Sequence, residues 1–284
     1  MSVLERSAES NYVLIGLPHS GKSTFIAALW YIVDSEELEN SLTITELPED
    51  REYLNALKDE WLSCKAFERT KTEHQYKISL NVYDRLIDVK TILQFPDVSG
   101  EIYNMQFEQR KVNVEYLNMI QSANGIILFI NPDYLKEPIL ITAIDTCIGN
   151  TTTPTEISQL KPWIHKDSPT QIVLVDLLQM IAFNISTPIK VAVVVSAWDV
   201  VLNSQKITPS KWIETTLPLL YQFLDSNKSL FKHIYFGISA QGGKYSEDNT
   251  ELQLKLPSDR IILQKDNEIS KDITLPIKWL MHDE

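Results

Sequence analysis

The chain has 284 residues, enough to bury a sizeable core as one large domain or two small ones. With 44% hydrophobic and 23% charged residues it has the balance of an ordinary globular protein, and 26 basic against 38 acidic residues leave a net charge of −12. Such a field repels polyphosphate backbones and anionic bilayers. Basic residues cluster only in pairs such as Arg110-Lys111, so neither nucleic acid nor a membrane is an expected partner.

Residues 1–10 are polar and lack the basic and apolar stretches of a secretory signal. "NYVLIG" reads as a buried strand, and Lys22 to about Asp34 as a helix. "PEDREYLNALKDEWLSCKAF" spaces Tyr53, Leu54, Leu57, Trp61 and Leu62 as a second helix. "YKISLNVYD" and "KTILQFPDV" form an expected hairpin across "RLID", the second strand ending near Pro96. A helix is expected over Phe107 to Ser122, then a central strand at "NGIILFIN". Residues 132–168 carry several prolines and read as a loop or insertion. A helix at "QIVLVDLLQMIAF" and a strand at "KVAVVVSAW" follow. "PSKWIETTLPLLYQFLDSN" is a helix that Pro218 kinks, and "HIYFGIS" is the last expected strand. Beyond about 241 the chain reads as an irregular extension, closed by a short helix at "PIKWLMHD" with Pro276 at its first position. The alternation predicts an α/β fold: a mostly parallel central sheet with one antiparallel strand and helices on both faces. No apolar run is long enough to span a bilayer. Cys64 and Cys147 lack a metal-ligand spacing. These features point to a cytoplasmic protein with reduced thiols.

"GLPHSGKS" matches G-x-x-x-x-G-K-[ST] through Gly16, Gly21, Lys22 and Ser23, between an expected strand and an expected helix. Backbone N–H groups of such a loop, with Ser20 and Thr24 in the same cradle, wrap a triphosphate at a helix N-terminus. Lys22 then reaches the β- and γ-phosphates and Ser23 ligates Mg²⁺. The alternative is a strand-to-helix turn that merely requires glycine. "FPDVSGE" adds Asp97 and Gly100 as D-x-x-G at a strand end: the aspartate suits a Mg²⁺ shell, and the glycine lets a backbone N–H approach a γ-phosphate.

"SAWD" at 196–199 and "SA" at 239–240 end the next strands. With them the chain resembles the Ras-like P-loop GTPases, whose motifs follow in this order over most of the sequence. The resemblance favours one elaborated domain over residues 1–284. It assigns Asp199 to the guanine N1 and N2 edge and the Ala240 N–H to O6, with Ser196 and Ser239 beside them. More narrowly, "LIGLPHSGKSTFIAALW", "EWLSCKAFERT", "FPDVSGE", "YFGISAQGG" and "LPIKWL" resemble the bacterial double-GTPases, which are associated with conflict and phage-defence gene clusters.

Two departures stand out. Ser196-Ala197 replaces the usual Asn/Thr-Lys, so no lysine methylenes cover the purine. Trp198 either covers the base instead or is a core or surface aromatic. Glu101 stands where a Ras-like enzyme has its water-orienting glutamine, which predicts slow hydrolysis unless that carboxylate faces solvent. "ERTKTE" at 68–73 lies where the first switch belongs. Thr70 and Thr72 are candidate Mg²⁺ and γ-phosphate ligands, and Arg69 a candidate internal arginine finger; the alternative is a solvated charged loop. His19 lies inside the phosphate loop as a tolerated variable position. The resulting expectation is a Mg²⁺-dependent protein that binds GTP and GDP, hydrolyses GTP slowly and works with a protein partner: an effector, an activator or a second GTPase. Its rivals are a relaxed NTPase or ATPase, prompted by Ala197, and a nucleotide-binding scaffold that hardly turns over.

Overall fold

The computed structural model describes residues 10–64, 77–96, 106–138, 164, 167–185, 188–243 and 250–282. The strands are β1 (Ser10–Gly16), β2 (Thr43–Ile44), β3 (Lys77–Asp84), β4 (Val89–Pro96), β5 (Gly125–Ile130), β6 (Ile189–Ser196), β7 (Phe231–Ser239), β8 (Ile262–Lys265) and β9 (Glu268–Ser270). The helices are α1 (Lys22–Ser35), α2 (Arg51–Leu62), α3 (Val114–Gln121), α4 (Thr170–Asn184), α5 (Trp198–Ser204), α6 (Pro209–Thr216), α7 (Pro218–Ser226), α8 (Thr250–Gln253), α9 (Pro257–Arg260) and α10 (Leu275–Met281).

The strands form one nine-stranded sheet in the order β2-β3-β4-β1-β5-β6-β7-β8-β9. Its core, β4-β1-β5-β6-β7, is parallel. Both margins are antiparallel. Apolar runs in the central strands follow from burial on both faces. Tyr12 and Leu14 of β1 face a core shared with α1, α2 and α10, while Val13 and Ile15 face one built with α3, α4, α6 and α7. Each such aliphatic side chain contributes roughly 1.5–3 kcal/mol on burial. β4 and β5 flank β1 on opposite sides, so the direction of strand addition reverses at β1. Parallel α/β sheets bind ligands beyond the carboxyl ends of strands at such a point.

The structure corrects four expectations. The hairpin β8–β9 adds two antiparallel strands where an irregular extension is expected. Its two-residue turn is Asp266-Asn267, with Asp266 at φ 50°, and the flanking strands of four and three residues are too short to show a strand periodicity. The expected helix over 107–122 is broken. A helical turn at 106–109 ends where Arg110 takes φ 53°, and α3 starts afresh because Asn113 caps it by accepting from the Glu115 N–H. Pro218 separates α6 from α7 rather than kinking one helix: it lacks an N–H and starts α7, while Leu217 leaves helical geometry. Pro276 falls one residue inside α10, which begins at Leu275. No described helix is long and apolar enough to cross a membrane.

Candidate functional site

The carboxyl ends of β1, β6 and β7 bring three of the motifs to one edge of the sheet. β1 ends at Gly16. Its α-carbon lies so close to β5 that an added Cβ would stand 2.7 Å from the Phe129 carbonyl and 2.6 Å from Ser20 Oγ. Gly21 takes φ 90°, the left-handed region, and a Cβ there would meet the Ser196 side chain at 2.8 Å. Both glycines are thus required by close approach, and Gly21 also by its backbone. Lys22 opens α1 and turns back over the loop: Nζ donates to the Gly16 carbonyl at 2.6 Å, the Leu17 carbonyl at 3.1 Å and Ser20 Oγ at 3.1 Å. The first turn of α1 holds Ser23 and Thr24, both half-buried, and no acidic residue. Its N–H groups and dipole favour an anion that no neighbouring carboxylate in that turn opposes.

His19 also takes a left-handed conformation, φ 60°. Its carbonyl accepts from Asn131 Nδ2 at 2.8 Å, and its ring stacks on Tyr134 at 4.9 Å between centroids. The variable position of the loop is therefore tied to the residues that follow β5. Asn131 carries no sequence signal beyond its place before Pro132.

Beyond β6, Ser196 is buried and donates to the Ile130 carbonyl at 3.2 Å, filling the space between β5 and the phosphate loop. Ala197 takes φ 46° and turns the chain into α5. Trp198 is fully buried, with its indole Nε1 donating to Gln264 Oε1 at 2.8 Å and its ring edge-on to Trp212. It packs so closely on β7 that a Cβ at Gly237 would lie 2.2 Å from a ring carbon. This ring belongs to the core, which corrects the expectation that it covers a base. Asp199 is half-buried and its carboxylate accepts from Ser239 Oγ at 2.5 Å; Ser239 Oγ in turn accepts from the Gly242 N–H at 3.0 Å. Asp199, Ser239 and Ala240 are thus brought together at the ends of β6 and β7. Arg69, Thr70, Thr72, Asp97, Gly100 and Glu101 lie outside the described residues. β4, which leads to Asp97, ends at Pro96 and runs parallel to β1, so it leaves the sheet at the same edge as the phosphate loop.

Two residues of this edge escape sequence reasoning. Trp61 of α2 reads from its spacing as a core aromatic, yet its indole donates to the Ala240 carbonyl at 3.0 Å. Gln241 is buried, and neither atom of its carboxamide has a partner among the described residues.

A family model described as Double-GTPase 1 matches residues 13–280. No curated protein matches the chain by sequence. Among solved structures, a bacterial selenocysteine-specific elongation factor, EF-Sec, is 11% identical at a TM-score of 0.35, covering 81% of this chain and 25% of that one. The S. cerevisiae Ski7 GTPase-like domain bound to GTP is 17% identical at 0.38, covering 84% and 45%. The same domain bound to GDP and inorganic phosphate is 16% identical at 0.40, covering 82% and 43%. The chain thus spans less than half the length of each of these structures.

Proposed function

The chain belongs to the Double-GTPase 1 family, and from that premise we propose that it is a Mg²⁺-dependent nucleotide switch that binds GTP and hydrolyses it slowly. One observation carries the reading: an anion cradle built on Gly16, Gly21 and Lys22 shares its sheet edge with the Asp199–Ser239 pair. One extended ligand with phosphates at one end and a hydrogen-bonding base at the other would use both.

In this reading the loop N–H groups and Lys22 hold the β- and γ-phosphates. The phosphate must displace the Gly16 and Leu17 carbonyls from Nζ, which requires only a rotation of a flexible side chain. The donor set fits a hard cation: Ser23 offers a hydroxyl in the first turn of α1, and Thr72 (or Thr70) and Asp97 complete the oxygen ligands. Neutralising charge shared by the β- and γ-oxygens is the chemistry Mg²⁺ supplies when bound. Arg69 meets charge that develops on the γ-phosphate, Gly100 offers its N–H there, and Glu101 orients water poorly for want of an amide. Asp199 accepts from the guanine N1 and N2 donors, which adenine does not present, and the Ala240 N–H donates to O6. The γ-phosphate then orders residues near 65–73 and 97–110, and a protein partner reads that order. The setting we propose is cytoplasmic; a place in a bacterial conflict or phage-defence system follows by association alone.

Ala197 favours a second reading, a relaxed NTPase, because no lysine methylenes cover the purine at that position. Titration of the protein with GTP, GDP, ATP and XTP, followed by turnover with GTP and ATP, separates the readings. Tight GTP and GDP binding with slow GTP turnover is expected. Equal affinity for ATP establishes the relaxed NTPase. Tight GTP binding without turnover establishes a scaffold.

A further inference from the structure

Trp61 lies in the last turn of α2 and is fully buried, yet it reaches across 179 residues of sequence to donate to Ala240. Ala240 sits in the loop after β7 whose far side is held by the Gly242–Ser239–Asp199 hydrogen bonds. Gly242 itself, at φ 79°, abuts the Arg260 backbone: a Cβ there would stand 2.3 Å from the Arg260 carbonyl oxygen. The Arg260 side chain is only 3% exposed and returns to α2. Its guanidinium lies 5.0 Å from the Trp61 ring centroid, and Nη1 donates to Cys64 Sγ at 2.9 Å and to the Trp61 and Leu62 carbonyls at 3.4 and 3.5 Å. α2 has no basic residue in its own last turn, so a guanidinium from the distant extension supplies the positive charge that its terminal carbonyls attract.

The contacts close a circuit: Trp61 to Ala240, along the loop to Gly242, to Arg260, and back to Trp61. Gln241 lies within that loop, is buried, and finds no hydrogen-bond partner for its carboxamide among the described residues.

We propose that Trp61, held by Arg260, is a positioning residue that determines specificity at the purine 6-position. It sets the peptides of the 239–242 loop so that the Ala240 N–H meets an oxygen there. The inference rests on the guanine-nucleotide reading above. Trp61 acts through Ala240 and does not touch the base. A backbone N–H is a weak reader unless its peptide is held in place, because a hydrogen bond fades steeply with misalignment. With alanine at position 197, this site has one less side chain to hold the purine.

The test is calorimetric titration of the full chain with Mg-GTP, Mg-ITP and the Mg salt of 2-aminopurine riboside triphosphate. ITP keeps the 6-oxygen and the N1 proton and lacks the 2-amino group; the 2-aminopurine nucleotide keeps the 2-amino group and has neither a 6-oxygen nor a proton on N1. Trp61→Phe keeps the ring packing and removes the N–H. It is expected to weaken GTP and ITP alike by about fivefold, while the 2-aminopurine nucleotide changes by less than about twofold. Arg260→Lys, which cannot stack and span α2 as a guanidinium does, is expected to give the same pattern more weakly, and it decides the matter alone if Trp61→Phe does not fold. A uniform loss over the three nucleotides, or no loss, in a variant that melts like wild type overturns the brace. Wild-type protein that binds GTP no better than the 2-aminopurine nucleotide overturns the guanine reading itself, and that result appears before any variant is made.

Discussion

The two ends of the candidate site are built in opposite ways. The loop at the phosphate end is one continuous segment, Gly16 to Thr24, and the hydrogen bonds of Lys22 reach back no more than six residues. The base end is assembled from α2, the β6–α5 turn, the loop after β7 and the extension that carries Arg260. Its bonds span 40 residues from Asp199 to Ser239 and 179 from Trp61 to Ala240. The first is set by local backbone geometry and the second by packing. Damage to the first should therefore be severe and confined to binding, whereas damage to the second should mix stability with selectivity.

Lys22→Ala breaks the comparison most sharply. Removing the charge that the Gly16–Thr24 loop itself brings to the phosphates is expected to weaken triphosphate binding by about 10²-fold or more, with a melting curve close to wild type. Unchanged GTP affinity in the folded variant would show that the loop is only a turn. At the base end, Gly237→Ala drives a methyl into the fully buried Trp198 ring. It is expected to destabilise the protein by about 1–3 kcal/mol, seen as a shifted denaturation midpoint, and to reduce preference for GTP over ATP because Asp199 follows the displaced tryptophan. A variant as stable as wild type would contradict the tight β7–Trp198 packing.

Asp199→Asn sharpens the comparison without touching the core. An amide offers a donor to the xanthine 2-oxygen that the carboxylate repels, so the ratio of GTP to XTP affinity should fall by a factor corresponding to about 1–3 kcal/mol. If the ratio stays at its wild-type value, another residue reads the base.

The smallest effect belongs to the opposite end of β7. Burial lowers the His233 imidazole below its ordinary range, outweighing the raising effects of a Phe231 backbone hydrogen bond and Asp225; Lys228 adds to the lowering. The folded state thus favours neutral His233, while the unfolded chain takes up the proton first as pH falls. The contribution is present above about pH 6.5 and lost below it. Thermal melts between about pH 7.5 and 5 should show this decline flattened in His233→Phe, with GTP affinity at neutral pH unchanged. An equally steep decline in the variant would remove His233 as the cause.

The legible parts of the molecule are those with a short physical range. The phosphate loop reads directly because a left-handed glycine, a strand-ending glycine and Lys-Ser at a helix start fall within eight residues, although the contacts that crowd the two glycines come from Phe129 and Ser196. The central strands read directly because burial on both faces demands unbroken apolar runs such as "GIILFI". The turn of β8–β9 carried its Asp-Asn pair, but strands of four and three residues are too short to show a periodicity beside it. Trp198 and Trp61 show the limit of side-chain identity. Both are aromatics at sites compatible with a core, and nothing in their neighbours says that the first packs on Gly237 while the second bonds the Ala240 carbonyl.

The sequence by itself determined the α/β class, the strand-to-helix turn at Gly16 to Thr24 and the placing of Asp199 and Ala240 just beyond β6 and β7, because these depend on backbone conformation and burial within a few residues. Only the tertiary structure decided which groups surround the base end. A glycine at 237 leaves room for an indole, Arg260 caps a helix it follows by some two hundred residues, and Trp61 bonds a loop far along the chain. Contacts of that range arise from how elements stack on the sheet, and no local propensity encodes them.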